Sequence, residues 1–158
     1  MRTRKQLMTE YELSHRNPVN SLIHYLCVPL IVFSSLALAW CLPIGAWLGL
    51  PDAYADYVNL ATLAALPIGL FYLRLSVGSL LTMVVWFLAS VAGILAVEAA
   101  GLNLLAISAV IWIAAWALQI YGHKIEGAKP SAADDVVFFL VGPLFVTDKL
   151  AHRLGFGP

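Results

Sequence analysis

Residues 21–42, SLIHYLCVPLIVFSSLALAWCL, contain no Asp, Glu, Lys or Arg, and the uncharged stretch extends from Asn17 to Pro51. A helix of about 20 mostly apolar residues crosses about 30 Å of hydrocarbon, so this segment predicts a membrane span. Further uncharged stretches run from Tyr57 to Leu73, Leu75 to Val97 and Ala99 to Gly122. Together they predict an all-α integral membrane protein of four transmembrane helices, at about 21–42, 57–73, 76–98 and 103–122. The second of these is the shortest, and Pro67 should kink it, which a membrane helix tolerates when its neighbours satisfy the freed carbonyl. The last two, joined through Ala99-Ala100-Gly101-Leu102-Asn103, should form an antiparallel hairpin, with Glu98 at the membrane edge.

A fifth apolar run, Val136–Val146, is too short to span and contains Gly142-Pro143. It predicts a re-entrant or interfacial segment within residues 132–158, with Asp148–Leu154 as an amphipathic interfacial helix. The whole chain, 1–158, is read as a single membrane domain opening on a polar segment, 1–20. Because the first apolar run starts only near Ser21 and is long enough to span, it is read as an uncleaved helix rather than a secretory signal, despite Ala37-Leu38-Ala39.

Composition agrees. The chain is 61% hydrophobic and 11% charged, against about 25% charge in a typical soluble domain, and its mean hydropathy is +0.86. Net charge is zero, so no field attracts nucleic acid, and nucleic-acid binding is excluded as a function class. The lipid bilayer is the expected partner, and a bacterial inner membrane the expected location. Cys27 and Cys41 lie about 21 Å apart along one helix and cannot bridge to each other there.

Charge also orients the chain. The nine basic residues fall in the N-terminal tail (Arg2, Arg4, Lys5, Arg16), at Arg74, or after the fourth span (Lys124, Lys129, Lys149, Arg153). The first connection holds only Asp52 and Asp56. By the positive-inside rule both termini and the Arg74 turn are cytoplasmic.

That orientation brings distant histidines to one face. His15 and His24 stand at the start of the first span and His123 at the end of the fourth, followed by Glu126. Gln119, His123 and Glu126 are spaced i, i+4, i+7 and share a helix face, continuing the stripe of Trp112 and Trp116. Gly122 leaves room for a close approach beside His123, and Lys129-Pro130 ends the helix. At the other end, Asn17 caps and Pro18 starts the first span. A continuous helix would turn His15 and His24 to opposite faces, so the break at Asn17-Pro18 is what lets both imidazoles converge. Asn20 shares the face of His24. Imidazole with carboxylate suits iron, zinc or manganese. The same residues also suit interfacial side chains at headgroup level, and Glu126 an ordinary salt bridge with Lys124 or Lys129. His152, beside Lys149 and Arg153, is read as a surface residue, and Pro143 with Phe138, Phe139 and Phe145 as either pocket lining or anchor.

The motif Tyr11-x3-His15-x4-Asn20-x3-His24, followed by Cys27-Val28-Pro29, resembles the opening signature of the Mpo1-like family. Trp116-x2-Gln119-x2-Gly122-His123-x2-Glu126-x3-Pro130 resembles its second signature, and Gly142-Pro143-Leu144-Phe145 a weaker third. The resemblance implies a small multi-spanning membrane enzyme, an iron(II)-dependent dioxygenase that shortens 2-hydroxy fatty acids by one carbon in fatty-acid α-oxidation. It implies His15, His24 and His123 as Fe(2+) ligands, with Glu126 a fourth ligand or a partner that orients an imidazole. The partners it implies are a 2-hydroxy fatty acid, chelating through hydroxyl and carboxylate, and dioxygen. Asn20, Gln119, Arg16 and Lys124 become candidate substrate contacts, with Arg16, Lys124 or Lys129 pairing with the carboxylate. Two other functions fit the same ligands: a zinc-dependent membrane hydrolase, and a non-catalytic lipid-binding protein with interfacial histidines.

Overall fold

The computed structural model describes residues 2–127 and 132–155, which are helical with no strand among them. In chain order the helices are α1 (Arg4–Leu13), α2 (Pro18–Trp40), α3 (Ile44–Trp47), α4 (Asp52–Ala55), α5 (Leu60–Leu75), α6 (Val77–Ala99), α7 (Leu104–Glu126) and α8 (Ala132–Arg153). The chain divides into two compact units, one from residues 1–31 with 113–158, the other from residues 32–112.

In the second unit, α5 starts at a capping box in which the Asn59 side chain accepts from Thr62 N–H at 3.1 Å and Thr62 Oγ1 accepts from Asn59 N–H at 3.2 Å. Ser76, in extended backbone, ends α5 and caps α6 by accepting from Ser79 N–H. Its core is Ala37, Ile94 and Leu104, with Phe33, Leu36 and Trp40 against it. Phe33 lies so close to Gly93 that a Cβ there would meet its ring at 2.9 Å, so any larger residue would require that ring to shift.

In the first unit, α1 is a helix that the polar composition of residues 1–20 concealed. Thr3 and Gln6 form its capping box, and α1 is tied to α8 by a bidentate Arg4–Asp148 pair at 2.8 and 2.7 Å and by Lys149 with Glu12. Tyr11 packs between Phe138 and Phe145. Cys27, Ile31 and Ala115, flanked by Ile23 and Trp116, form a second small core. Both cysteines are free thiols.

Among the described residues, three stretches are long and apolar enough to cross a membrane: Pro18–Trp47, Val77–Ala99 and Leu104–Glu126. Their outward side chains are apolar, among them Leu26, Val85, Leu88, Val110 and Ile113, each more than half exposed, a surface suited to lipid rather than water. The expected span at 57–73 corresponds to the shorter apolar helix α5, 16 residues and about 24 Å long, which is not among these three. The run read as a short re-entrant or interfacial segment, 136–146, lies within α8, which passes through Pro143 as one 22-residue helix. Glu98 is exposed in the last turn of α6.

Candidate metal centre

The site lies within the first unit. Between α1 and α2, the chain from Ser14 to Asn17 is held in place from two sides. The first turns of α2 hold it through Asn20, whose Nδ2 donates to Ser14 O at 3.1 Å, and Ser21, whose Oγ donates to His15 O at 2.8 Å. From α7, the Glu126 carboxylate accepts from the N–H groups of Arg16 at 3.0 Å and Asn17 at 2.9 Å, and from Asn20 Nδ2 at 3.1 Å. A carboxylate against free N–H groups at a helix start is a favourable charge–dipole arrangement. Asn17 Oδ1 also accepts from Val19 N–H at 2.9 Å, so the break expected at Asn17-Pro18 is present and built.

That turn delivers His15 to His24 and His123. The ring centroids are 4.1 Å apart for His15–His24, 5.0 Å for His24–His123 and 5.4 Å for His15–His123. One ligating atom from each lies within 4.8 Å of the others. His15 and His24 are buried and His123 half-buried. His15 Nδ1 lies 2.6 Å from Tyr11 O, and His24 Nδ1 lies 3.0 Å from Asn20 O. A carbonyl only accepts, so each Nδ1 carries the proton and each Nε2 presents its lone pair. His15 Nε2 is buried and has no hydrogen-bond partner among the described residues.

Tyr11 covers His15 as a parallel stack, with centroids 4.1 Å apart and planes at 4°. Phe145 lies against His15 as a tilted ring, with centroids 5.8 Å apart. Burial pushes the His15 imidazole down to about 4, so it is neutral at physiological pH, as a ligand must be. Burial likewise raises the Tyr11 phenol above its ordinary value.

Two glycines set the spacing. A Cβ on Gly122 would fall 2.4 Å from Asn20 Oδ1, and one on Gly142 would fall 3.1 Å from the Tyr11 hydroxyl. The room expected at Gly122 is filled by Asn20.

Of the predicted site residues, His15, His24 and His123 come together. Glu126 lies outside that group of three, and its carboxylate accepts from the Arg16, Asn17 and Asn20 donors. Asn20 is fully buried between Glu126 and His24, and Gln119 is buried one turn before His123. Arg16 and Lys124 are exposed, and Lys129 and Pro130 lie outside the described residues. Sequence reasoning gave no role to Tyr11, whose only signal was its spacing to His15. It also missed a cavity of about 330 Å³ reached by His15, Tyr25 and Phe145 and bordered by Glu12, Lys149, His152 and Arg153. His152 is an exposed residue on that border, outside the histidine group.

The residues fit a metal ion. Nitrogens about 2.1 Å from one ion lie about 3.4 Å apart in a tetrahedron and at most about 4.2 Å apart, so small side-chain rotations close the gap from 4.8 Å. The donor set is three neutral imidazoles, two already oriented by carbonyls in the manner of metal-binding histidines. No curated protein and no solved structure matches the chain at a significant level. The family model described as Mpo1-like, 2-hydroxy-palmitic acid dioxygenase Mpo1-like, matches residues 1–154, and the chain belongs to that family.

Proposed function

We propose that this protein is a membrane-embedded iron(II) dioxygenase that shortens 2-hydroxy fatty acids by one carbon, with His15, His24 and His123 holding the metal. The observation that carries this reading is the buried trio of imidazoles, two with Nδ1 tied to carbonyls and Nε2 left for a ligand, in a chain whose family description names a 2-hydroxy acid dioxygenase.

A ferrous ion held there would supply the place where hydroxy acid and dioxygen meet and exchange electrons. The chain's own residues do the rest. The carbonyls of Tyr11 and Asn20 keep the Nδ1 protons in place. Tyr11 covers one face of His15, and Glu126 fixes the turn that carries it. The acyl tail lies among the apolar helices, within the bilayer. Overall, the 2-hydroxy acid and one dioxygen become the acid one carbon shorter, carbon dioxide and water. The substrate gives up four electrons and dioxygen takes up four, so no separate reductant enters.

The convergence of His24 and His123 also bears on topology. If α2, α6 and α7 each cross the bilayer, the start of α2 and the end of α7 share a side only if the chain returns through α5. Four crossings follow, with the centre and both termini on the cytoplasmic side by the distribution of Lys and Arg, in a bacterial inner membrane.

The test is an oxygen-uptake assay on the anaerobically iron-loaded protein with 2-hydroxyhexadecanoic acid. Equal amounts of dioxygen consumed, carbon dioxide released and fifteen-carbon acid formed support the reading. A stoichiometric zinc content without oxygen uptake points to the hydrolase instead.

A further inference from the structure

We propose that the cavity beside His15 is the carboxylate subsite and that Arg153, at the end of α8, is the residue that takes the acid's charge. This rests on the reading of the chain as an enzyme of 2-hydroxy fatty acids. The cavity, about 330 Å³, has room for about ten waters at ~30 Å³ each, ample for a carboxylate, the neighbouring hydroxyl carbon and part of a chain. Its wall carries two fixed cations, Lys149 and Arg153, against one carboxylate, Glu12. Lys149 is paired with Glu12. Arg153 has no ion pair among the described residues, so the surplus positive charge sits on its guanidinium.

The position of Arg153 suits the task. Its guanidinium carbon lies 5.0 Å above the ring of Tyr25, a second lining residue. A guanidinium held by its face to a ring keeps its edge N–H groups for a bidentate carboxylate contact. In a 2-hydroxy acid the hydroxyl carbon is bonded directly to the carboxyl carbon. Capture of the carboxylate in this cavity therefore keeps the reacting end in the space that His15 borders. Arg16 and Lys124 border no part of it.

The full chain in phosphatidylcholine nanodiscs is titrated with 2-hydroxyhexadecanoic acid and with its methyl ester, which has the same tail and hydroxyl but no charge. The wild type should bind the acid more tightly. Arg153→Gln should weaken acid binding about tenfold to hundredfold, the range for hydrogen bonds to charged groups, while ester affinity and metal content stay at wild-type values. Arg153→Lys, which keeps the charge without the fork, should fall between, and Lys5→Gln on the exposed face of α1 should leave acid binding unchanged. The proposal is overturned if Arg153→Gln binds the acid like the wild type, or if acid and ester weaken together. It also falls if Lys5→Gln has the same effect, or if Arg153→Gln alters only the retention of phosphatidylglycerol, which would make Arg153 a headgroup contact. Absence of metal or oxygen uptake in the wild type defeats the dioxygenase reading and leaves the acid–ester comparison standing, since binding requires no turnover.

Discussion

Glu126 accepts the backbone N–H of Asn17 at 2.9 Å, joining the last residue of α7 to the residue that precedes α2, 109 positions earlier. This bond belongs to a set that includes Arg16 N–H and Asn20 Nδ2, and under the proposed function Glu126 supports the metal centre through the turn that places His15. Replacing Glu126 with Ala should lower metal affinity about 10–100-fold, as loss of such supporting contacts commonly does, while a metal-loaded fraction persists. Glu126→Gln, which can still accept, should lose less. Metal titration of the three proteins distinguishes this from a ligand role, in which both variants would lose the ion.

Tyr11 and His15 are stacked face to face, and Tyr11 is buried. Tyr11→Phe keeps the ring and should retain metal near the wild-type level. Tyr11→Ala removes the stack and leaves a cavity, at about 3–5 kcal/mol by analogy with buried aromatic truncations, and His15 loses its cover. Thermal unfolding in detergent, read beside metal content, should show both losses for Ala and neither for Phe.

Gly122 permits the approach of Asn20 to α7. In Gly122→Ala the new methyl would meet Asn20 Oδ1 at 2.4 Å and Ile23 at 3.3 Å. Overpacking of this kind costs about 1–3 kcal/mol. Because Asn20 O accepts from His24, the variant should also bind metal more weakly. Unchanged thermal stability and metal affinity would contradict the packing described.

The Arg4–Asp148 pair joins α1 to α8, yet both side chains remain well exposed, at 39% and 45%. Arg4→Ala should therefore cost no more than about 1 kcal/mol, and the loss should shrink in high salt. Unfolding measured at two ionic strengths checks both the size and the sign.

Much of this was legible in the chain because the governing patterns are local. Uncharged runs mark α2, α6 and α7, and i, i+4, i+7 spacing aligns Gln119, His123 and Glu126. Asn17-Pro18 marks the break that brings His15 to His24. What escaped is either weak locally or remote in sequence. Helix α1 has little apolar content, so only its Thr3–Gln6 box announced it. The apolar run around Pro143 is short by itself, but it lies inside a 22-residue helix whose polar ends, tied to α1 by Arg4–Asp148, carry no hydrophobic signal. The acceptor role of Glu126 depends on N–H groups 109 and 110 positions away, which no spacing rule reaches. The cavity at Arg153 depends likewise on where α8 packs.

The central claim is that His15, His24 and His123 hold one iron. Its most direct test is metal analysis of anaerobically purified protein, compared with His15→Ala, His24→Ala and His123→Ala, each checked for membrane insertion. One ferrous ion per chain in the wild type and none in any inserted variant is the predicted result. A wild type without stoichiometric metal, or inserted His24→Ala and His123→Ala proteins that keep their iron, would contradict it.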